Sequence, residues 1–225
     1  MNGSDLAARR RRSLLRRFTD ALGPAGVFFR GFLKEPRMVG SVIPSSRSTI
    51  EAMLEPVDWA RCRLFVEYGP GVGTFCQTVL DRLPRAADGE PGGALLVIDT
   101  NPLFIDYLKR TYSDSRFHAV LGSAEDVEEI VRMIGHEKAD YVLSGLPFST
   151  LPAAVGPAIV NATHRVLREG GAFMTYQFKG AARDMTAAVF ARVDTGFAWF
   201  NIPPCILAWG WKGKEDGAGK APTPD

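Results

Sequence analysis

The sequence predicts an α/β fold in which a mostly parallel sheet ends in an antiparallel hairpin. Three observations lead there. From residue 63 onward, short apolar runs alternate with helix-like stretches, the pattern of parallel crossover units. A glycine-rich turn, Gly69-Pro70-Gly71-Val72-Gly73, follows the first run. The last two runs are joined by Asn201-Ile202-Pro203-Pro204 and read as a hairpin. At 225 residues, 46% hydrophobic and 23% charged, the chain suits one sizeable domain with modest appendages. No apolar run reaches the ~18 residues that a spanning helix needs, because Arg, Lys, Asp or Glu breaks every candidate.

The amino end comes first in chain order and is the most charged part. Residues 1–40 hold nine Lys/Arg against three Asp/Glu, or +6, leaving 18 against 22, or −4, for the remainder. Residues 5–22 read as a basic amphipathic helix. Leu14, Leu15, Phe18 and Leu22 share one arc, and Arg9, Arg12, Arg16 and Asp20 lie opposite. Arg11 intrudes on the apolar arc but is long enough to snorkel. Beyond Gly23-Pro24, the residues Val27, Phe28, Phe29, Phe32 and Leu33 form a second short apolar face that ends at Pro36. Such an arm can meet a membrane surface, fold back as a lid, or touch nucleic acid. The two Phe pairs and the excess of cations favour the membrane, with Arg9, Arg10, Arg12, Leu14, Leu15, Arg16, Phe18 and Leu22 as the contact set. Arg16, Arg17, Asp20 and Arg30 interrupt any h-region, so no secretory leader is expected.

The strand-like runs fall at 63–68, 94–99, 117–121, 141–144, 172–178, 189–200 and 205–211. Helices are expected at 74–83, 103–112, 125–133 and 154–167, the last ended by an Arg168-Glu169-Gly170-Gly171 turn. The tail from Gly213 lacks an apolar anchor and is expected to be disordered. Cys62, Cys76 and Cys205, like His118, His136 and His164, lack metal-ligand spacing, so a reduced, metal-free cytosolic protein is expected.

The chemistry concentrates at strand ends. Glycines at a strand-to-helix turn let backbone approach a ligand, and an acidic residue ending the next strand, Asp99, can take two ribose hydroxyls. The spacing is Gly-x-Gly-x-Gly, and Glu67 precedes it. A carboxylate there faces a pyrophosphate unfavourably and suits a cationic amino group instead. An inert turn and a nucleotide site are the competing readings. Ser123 and Ala124, ending the third strand, would sit beside an adenine, although Ser123 with Asp126 also reads as a helix N-cap. The fourth strand ends in Ser144-Gly145-Leu146-Pro147-Phe148. Gly145 there permits close approach, Pro147 stiffens the turn, a main-chain carbonyl can orient a nucleophilic nitrogen, and Phe148 can cover a cationic product. The bland reading of that turn is an ordinary apolar one.

Taken together, Phe32-Leu33, Pro36 to Ser46, Val66 to Gly73, Leu143 to Phe148 and Tyr176-Gln177-Phe178 resemble bacterial phospholipid N-methyltransferases of the soluble, rRNA-dimethylase-like kind. The resemblance spans roughly residues 14–212, with Val39 to Ser46 and the Ser-Gly-Leu-Pro turn its most specific parts. It implies a Rossmann-like class I methyltransferase domain over 37–212, with a seven-stranded sheet, and an amphipathic arm over 1–36. It implies methyl transfer from S-adenosylmethionine to phosphatidylethanolamine, giving phosphatidylcholine, with no metal. It further implies peripheral attachment to anionic lipid on the inner face of the cytoplasmic membrane, no nucleic-acid partner, and a monomer in solution. Residue by residue, Ser45, Ser46, Glu67, Gly69, Gly71 and Gly73 would surround the methionine and ribose, with Asp99 and Thr100 on the ribose side. Ser144 and Leu146 would flank the methyl donor, and Tyr176 would face the amine unless it is a core aromatic. Lys179 or Arg183 would meet a lipid phosphate unless merely solvated. Ser144 stands where nucleic-acid enzymes carry Asn or Asp, which favours an aliphatic amine; an ornithine lipid, an rRNA adenine and a non-catalytic binder are the alternatives.

Overall fold

The computed structural model describes residues 47–87, 92–199 and 204–213, all within one compact unit, Ile43–Asp225. The N-terminal arm, Ser45, Ser46 and the tail beyond Gly213 lie outside the described residues. Seven strands form one sheet: β1 Leu64–Tyr68, β2 Ala94–Asp99, β3 Phe117–Leu121, β4 Ala139–Ser144, β5 Leu167–Gln177, β6 Arg192–Ala198 and β7 Cys205–Trp211. Their order is β3-β2-β1-β4-β5-β7-β6, parallel from β3 to β5 and antiparallel where β7 inserts between β5 and β6. The mostly parallel sheet with an antiparallel end is therefore the predicted one. The central strands β1, β2 and β4 read as near-continuous apolar runs because helices cover both their faces.

The helices are α1 Arg47–Leu54, α2 Cys76–Arg82, α3 Pro102–Thr111, α4 Val127–Met133, α5 Val155–Val166 and α6 Ala181–Ala187. One core joins Met53, Leu54, Val79, Leu80, Ile105 and Leu108 to one face of the sheet. The other joins Val127, Ile130, Val131, Ile159, Val160 and Ala182 to the opposite face. Trp209 of β7 is among the largest fully buried side chains, and its indole donates to the Met53 carbonyl at 3.0 Å, tying α1 to the antiparallel end of the sheet. Asn101 begins α3 by accepting from Leu103 N at 3.0 Å, and Pro102 fills the first turn where no N–H is needed.

Four elements depart from the sequence reading. The Arg168–Gly171 stretch, expected as a turn, belongs to β5, whose ladder with β4 is irregular between Ala139 and Tyr141. Lys212 holds it there: Gly170 N donates to the Lys212 carbonyl at 2.7 Å, and Lys212 N donates to the Gly171 carbonyl at 2.9 Å. Helices α6 and α1 form where the sequence pattern predicts no element. The predicted strand at 189–200 is accordingly shorter, Arg192–Ala198. Among the described residues, no helix is long and apolar enough to cross a membrane.

A buried carboxylate closes the lower end of the sheet. Asp140, 4% exposed on β4, accepts from Arg63 N at 2.7 Å and Leu64 N at 2.9 Å, and pairs with Arg168 of β5. It thereby ties the start of β1 to β4 and β5. Asp140→Ala leaves two backbone donors and a cation without that partner, so a loss of ~2–4 kcal/mol is expected in chemical denaturation. Retention of wild-type stability would show that water replaces the carboxylate without cost.

Candidate functional site

The site follows from where the strands stop. Tyr68 aligns with Ile98 on one side and Ser144 on the other, and Ser144 aligns with Thr175. One residue past that row, the chain reaches Gly69, Asp99, Gly145 and Tyr176, so residues far apart in sequence gather along the upper edge of one sheet. Backbone bonds lock the row: Gly69 N donates to the Ile98 carbonyl and Gly145 N to the Tyr68 carbonyl, both at 2.9 Å.

The glycine turn is shaped by left-handed backbone, with φ of 60° at Gly69, 55° at Gly71 and 78° at Gly73. A methyl group at Gly71 would meet nothing within 4 Å, whereas one at Gly69 would lie 2.9 Å from the Leu146 side chain. The turn thus presents bare backbone to open space at Gly71 and packs against the β4 turn at Gly69. This is a cradle of the kind a cofactor needs.

Two carboxylates flank it. Glu67 is fully enclosed, and burial pushes its carboxyl up to about 8; the Cys76 thiol, donating to Oε2 at 3.5 Å, opposes the shift, and the nearby Asp99 adds to it. Asp99 is only partly enclosed. Burial raises its pKa as well, against hydrogen bonds from the backbone N–H groups of Asn101, Gly71 and Thr100. The Asn101 bond is 2.8 Å long. Asp99 is therefore in contact with the glycine turn itself. A cation placed among these groups would be stabilised by Asp99 directly, and by Glu67 once it gives up its proton.

The β4 turn crosses closely over the glycine turn. A methyl group at Gly145 would stand 2.9 Å from Tyr176 Oη and 3.0 Å from the Gly69 carbonyl oxygen, so only hydrogen fits. Ser144 is buried, and its Oγ accepts from Leu146 N at 3.3 Å. The Leu146 carbonyl accepts from Phe148 N at 3.0 Å and from the amide of Gln177. Tyr176 packs its ring against Phe75 at 5.2 Å, and burial followed by the Glu67 charge raises its pKa, so its hydroxyl stays protonated. Phe148 is 2% exposed and packs edge-on against Phe173, which encloses its ring beneath the turn, on the sheet face opposite Tyr176.

The other predicted residues are placed as follows. Thr100 is exposed beside Asp99. Ser123 accepts from Glu125 N at 3.2 Å, the N-cap half of its dual reading, and Ala124 is buried behind it. Gly122 N donates to the Asp99 backbone carbonyl at 3.0 Å, which holds the residue before Ser123 against the end of β2. Lys179 is exposed with no ion-pair partner among the described residues, whereas Arg183 pairs with Asp184 at 2.7 Å. Among the described residues, no group of His, Cys, Asp and Glu is arranged to hold a metal. The sequence reading missed Cys76 as the partner of Glu67 and Gln177 as the partner of Leu146. A polar residue ending an apolar strand was the available signal for Gln177.

Glu67 generates a sign-definite prediction. A carboxyl raised from about 4.5 to about 8 in the folded chain holds a proton that the unfolded chain has released, so stability falls as pH rises between those values. The slope approaches ~1.4 kcal/mol per pH unit. Glu67→Gln should flatten this part of the profile and make the ligand-free chain more stable than wild type at pH 8. Parallel profiles for the two proteins would contradict the assignment.

No family model matches the chain. An ornithine lipid N-methyltransferase from Singulisphaera acidiphila is 27% identical over 180 residues, covering 79% of this chain and 91% of that protein. Among solved structures, a precorrin-6y C5,15-methyltransferase from Geobacter metallireducens superimposes with a TM-score of 0.59 at 11% identity, over 78% of this chain and 93% of that one. A precorrin 8w decarboxylase from Methanobacterium thermoautotrophicum gives 0.55 at 14% identity, over 77% and 94%. PigF with SAH gives 0.51 at 15% identity, over 74% and 55%. Likeness at such identities carries the fold alone, and a decarboxylase shares it. That fold is the Rossmann-like one of the class I methyltransferases, as the sequence predicts.

Proposed function

We propose that this chain transfers methyl groups from S-adenosylmethionine to the primary amine of a membrane lipid, phosphatidylethanolamine first among them. The observation that carries the reading is the contact between two backbone turns, Gly69–Gly73 and Ser144–Pro147, at the ends of neighbouring strands. The first fits the cofactor: bare backbone at Gly71 and two carboxylates, Glu67 and Asp99, suit a ligand with a cationic amino group and a ribose. Bound there, S-adenosylmethionine would supply a methyl group on positively charged sulfur, open to attack by a neutral nitrogen. The second turn fits an amine, since it offers small residues and main-chain polar atoms and no ionisable side chain.

A lipid ammonium resembles Lys, with a pKa near ~10, so it must lose a proton before it attacks. The Ser144–Phe148 turn has no base, and Tyr176 is held protonated; the proton therefore goes to solvent and the rate should climb from pH 7 to 9. Alignment is then the main service of the site.

The sequence resemblance favours phosphatidylethanolamine. The Singulisphaera relative supports a second reading, an ornithine lipid, whose head also presents a primary alkyl amine. Labelled methyl transfer into vesicles of phosphatidylethanolamine or ornithine lipid, each mixed with phosphatidylglycerol, separates the two, with rRNA as a third acceptor. Label in the phosphatidylethanolamine is expected. Label only in rRNA, or in nothing, would overturn the proposal.

Two variants test its parts. Asp99→Ala removes an acceptor worth ~1.5–3 kcal/mol, so affinity for S-adenosylhomocysteine should fall by about 10- to 150-fold in calorimetry; unchanged affinity would refute the ribose-side role. Six arginines lie between Arg9 and Arg17, each cation near an anionic surface being worth ~1 kcal/mol. Replacing Arg9, Arg10, Arg12 and Arg16 by Gln should abolish most sedimentation with anionic vesicles and leave cofactor binding intact. Undiminished sedimentation would assign the arm another task.

A further inference from the structure

We propose that Gln177 is a specificity-determining residue whose amide oxygen accepts from the substrate amine and so favours the first two methyl transfers over the third; this rests on the lipid N-methylation read above. Gln177 is the last residue of β5, and its Nε2 donates to the Leu146 carbonyl, in the turn that ends β4. A carbonyl oxygen only accepts. The amide orientation is therefore fixed by its partner, with Nε2 towards Leu146 and Oε1 turned away.

The same bond uses up one of the main-chain carbonyls of this turn that could have oriented the nitrogen. Phe148 N occupies the Leu146 carbonyl at 3.0 Å and Gln177 Nε2 occupies it too, so both lone pairs are engaged and none is left to orient an amine. Ser144 Oγ already accepts from Leu146 N and is buried. Gln177 Oε1 has no donor among the described residues, and it belongs to an amide anchored to the turn itself. It is an uncharged acceptor left open at this point of the sheet edge.

An uncharged acceptor discriminates between stages of the reaction. In each transfer the ammonium form first loses one proton to solvent; the freed nitrogen lone pair then forms the N–C bond while the C–S electron pair leaves with sulfur. A neutral primary amine arrives with two N–H groups, a monomethylamine with one and a dimethylamine with none. The Gln177 oxygen is satisfied in the first two cases. In the third it faces a methyl group, loses its water, and gains no bond.

The test uses the full chain and three vesicle substrates, phosphatidylethanolamine and its monomethyl and dimethyl derivatives, with Gln177→Met as an unbranched replacement lacking both polar ends. The rate on the first two should fall about tenfold, and that on the dimethyl lipid by less than about threefold, with affinity for S-adenosylhomocysteine within about threefold of wild type. An equal fall on all three would overturn the proposal, because a tie that merely braces the turn cannot distinguish them; so would no fall at all. Gln177→Glu serves as a second variant. A carboxylate there stabilises the ammonium form, so the rise of rate with pH should move to higher pH, and an unmoved profile would likewise overturn the proposal. A wild-type chain inert on all three lipids would instead overturn the lipid reading and this inference with it, an outcome distinct from a uniform loss in the variant.

Discussion

The backbone contact between Gly145 and Gly69 is the constraint on which the rest of the site depends. Neighbouring parallel strands lie ~4.8 Å apart, and turns leaving two of them in the same direction collide unless one side carries no Cβ. Here Gly145 N binds the Tyr68 carbonyl, and hydrogen alone fits between the Gly145 Cα, the Gly69 carbonyl and Tyr176 Oη. Everything that makes the edge chemically useful follows from that approach. Leu146 closes over Gly69, Gln177 reaches Leu146, and Gly71 is left as the open part of the glycine turn.

Electrostatics follows from the same placement. Glu67 lies one residue before the end of a strand buried on both faces, so its carboxyl is held up to about 8 without any special partner beyond Cys76. Asp99, one strand over, stays closer to solvent and collects backbone N–H groups of the turn. An enclosed carboxyl and a half-open one beside the same cradle favour a cationic guest. Such a guest would draw the proton from Glu67 and recover part of the cost of burying it.

Much of this was legible in the sequence where local pattern and tertiary role agree. The runs at 94–99, 117–121 and 205–211 coincide with β2, β3 and β7 residue for residue, because short, largely apolar runs of five to seven residues between turns are too short for a helix and fit a strand. The start of β5 was not legible. Arg168-Glu169-Gly170-Gly171 has turn chemistry, and only pairing with Lys212, over forty residues later, makes it strand. Helix α6 is short and weakly patterned, and it is held by Ala182 and Thr186 packing into the sheet. At the site, the glycines, Glu67 and Asp99 announced themselves by type and spacing. Gln177 did not, since its importance lies in a bond to a carbonyl 31 residues away. Phe148 announced itself as a cation cover, yet the structure encloses it against Phe173, because a turn this tight leaves the next aromatic facing the core.

The most direct measurement is the initial rate of methyl transfer from S-adenosylmethionine to lipid amine by Gly145→Ala, compared with wild type at equal folded fraction. Gly145 is not among the left-handed glycines, so the substitution is opposed by space alone. The turns should be forced apart at the point where cofactor and amine would meet, and the rate should drop at least about tenfold while the melting profile stays cooperative. A folded Gly145→Ala chain working at the wild-type rate would contradict the account, for the amine site would then lie elsewhere than at this crossing.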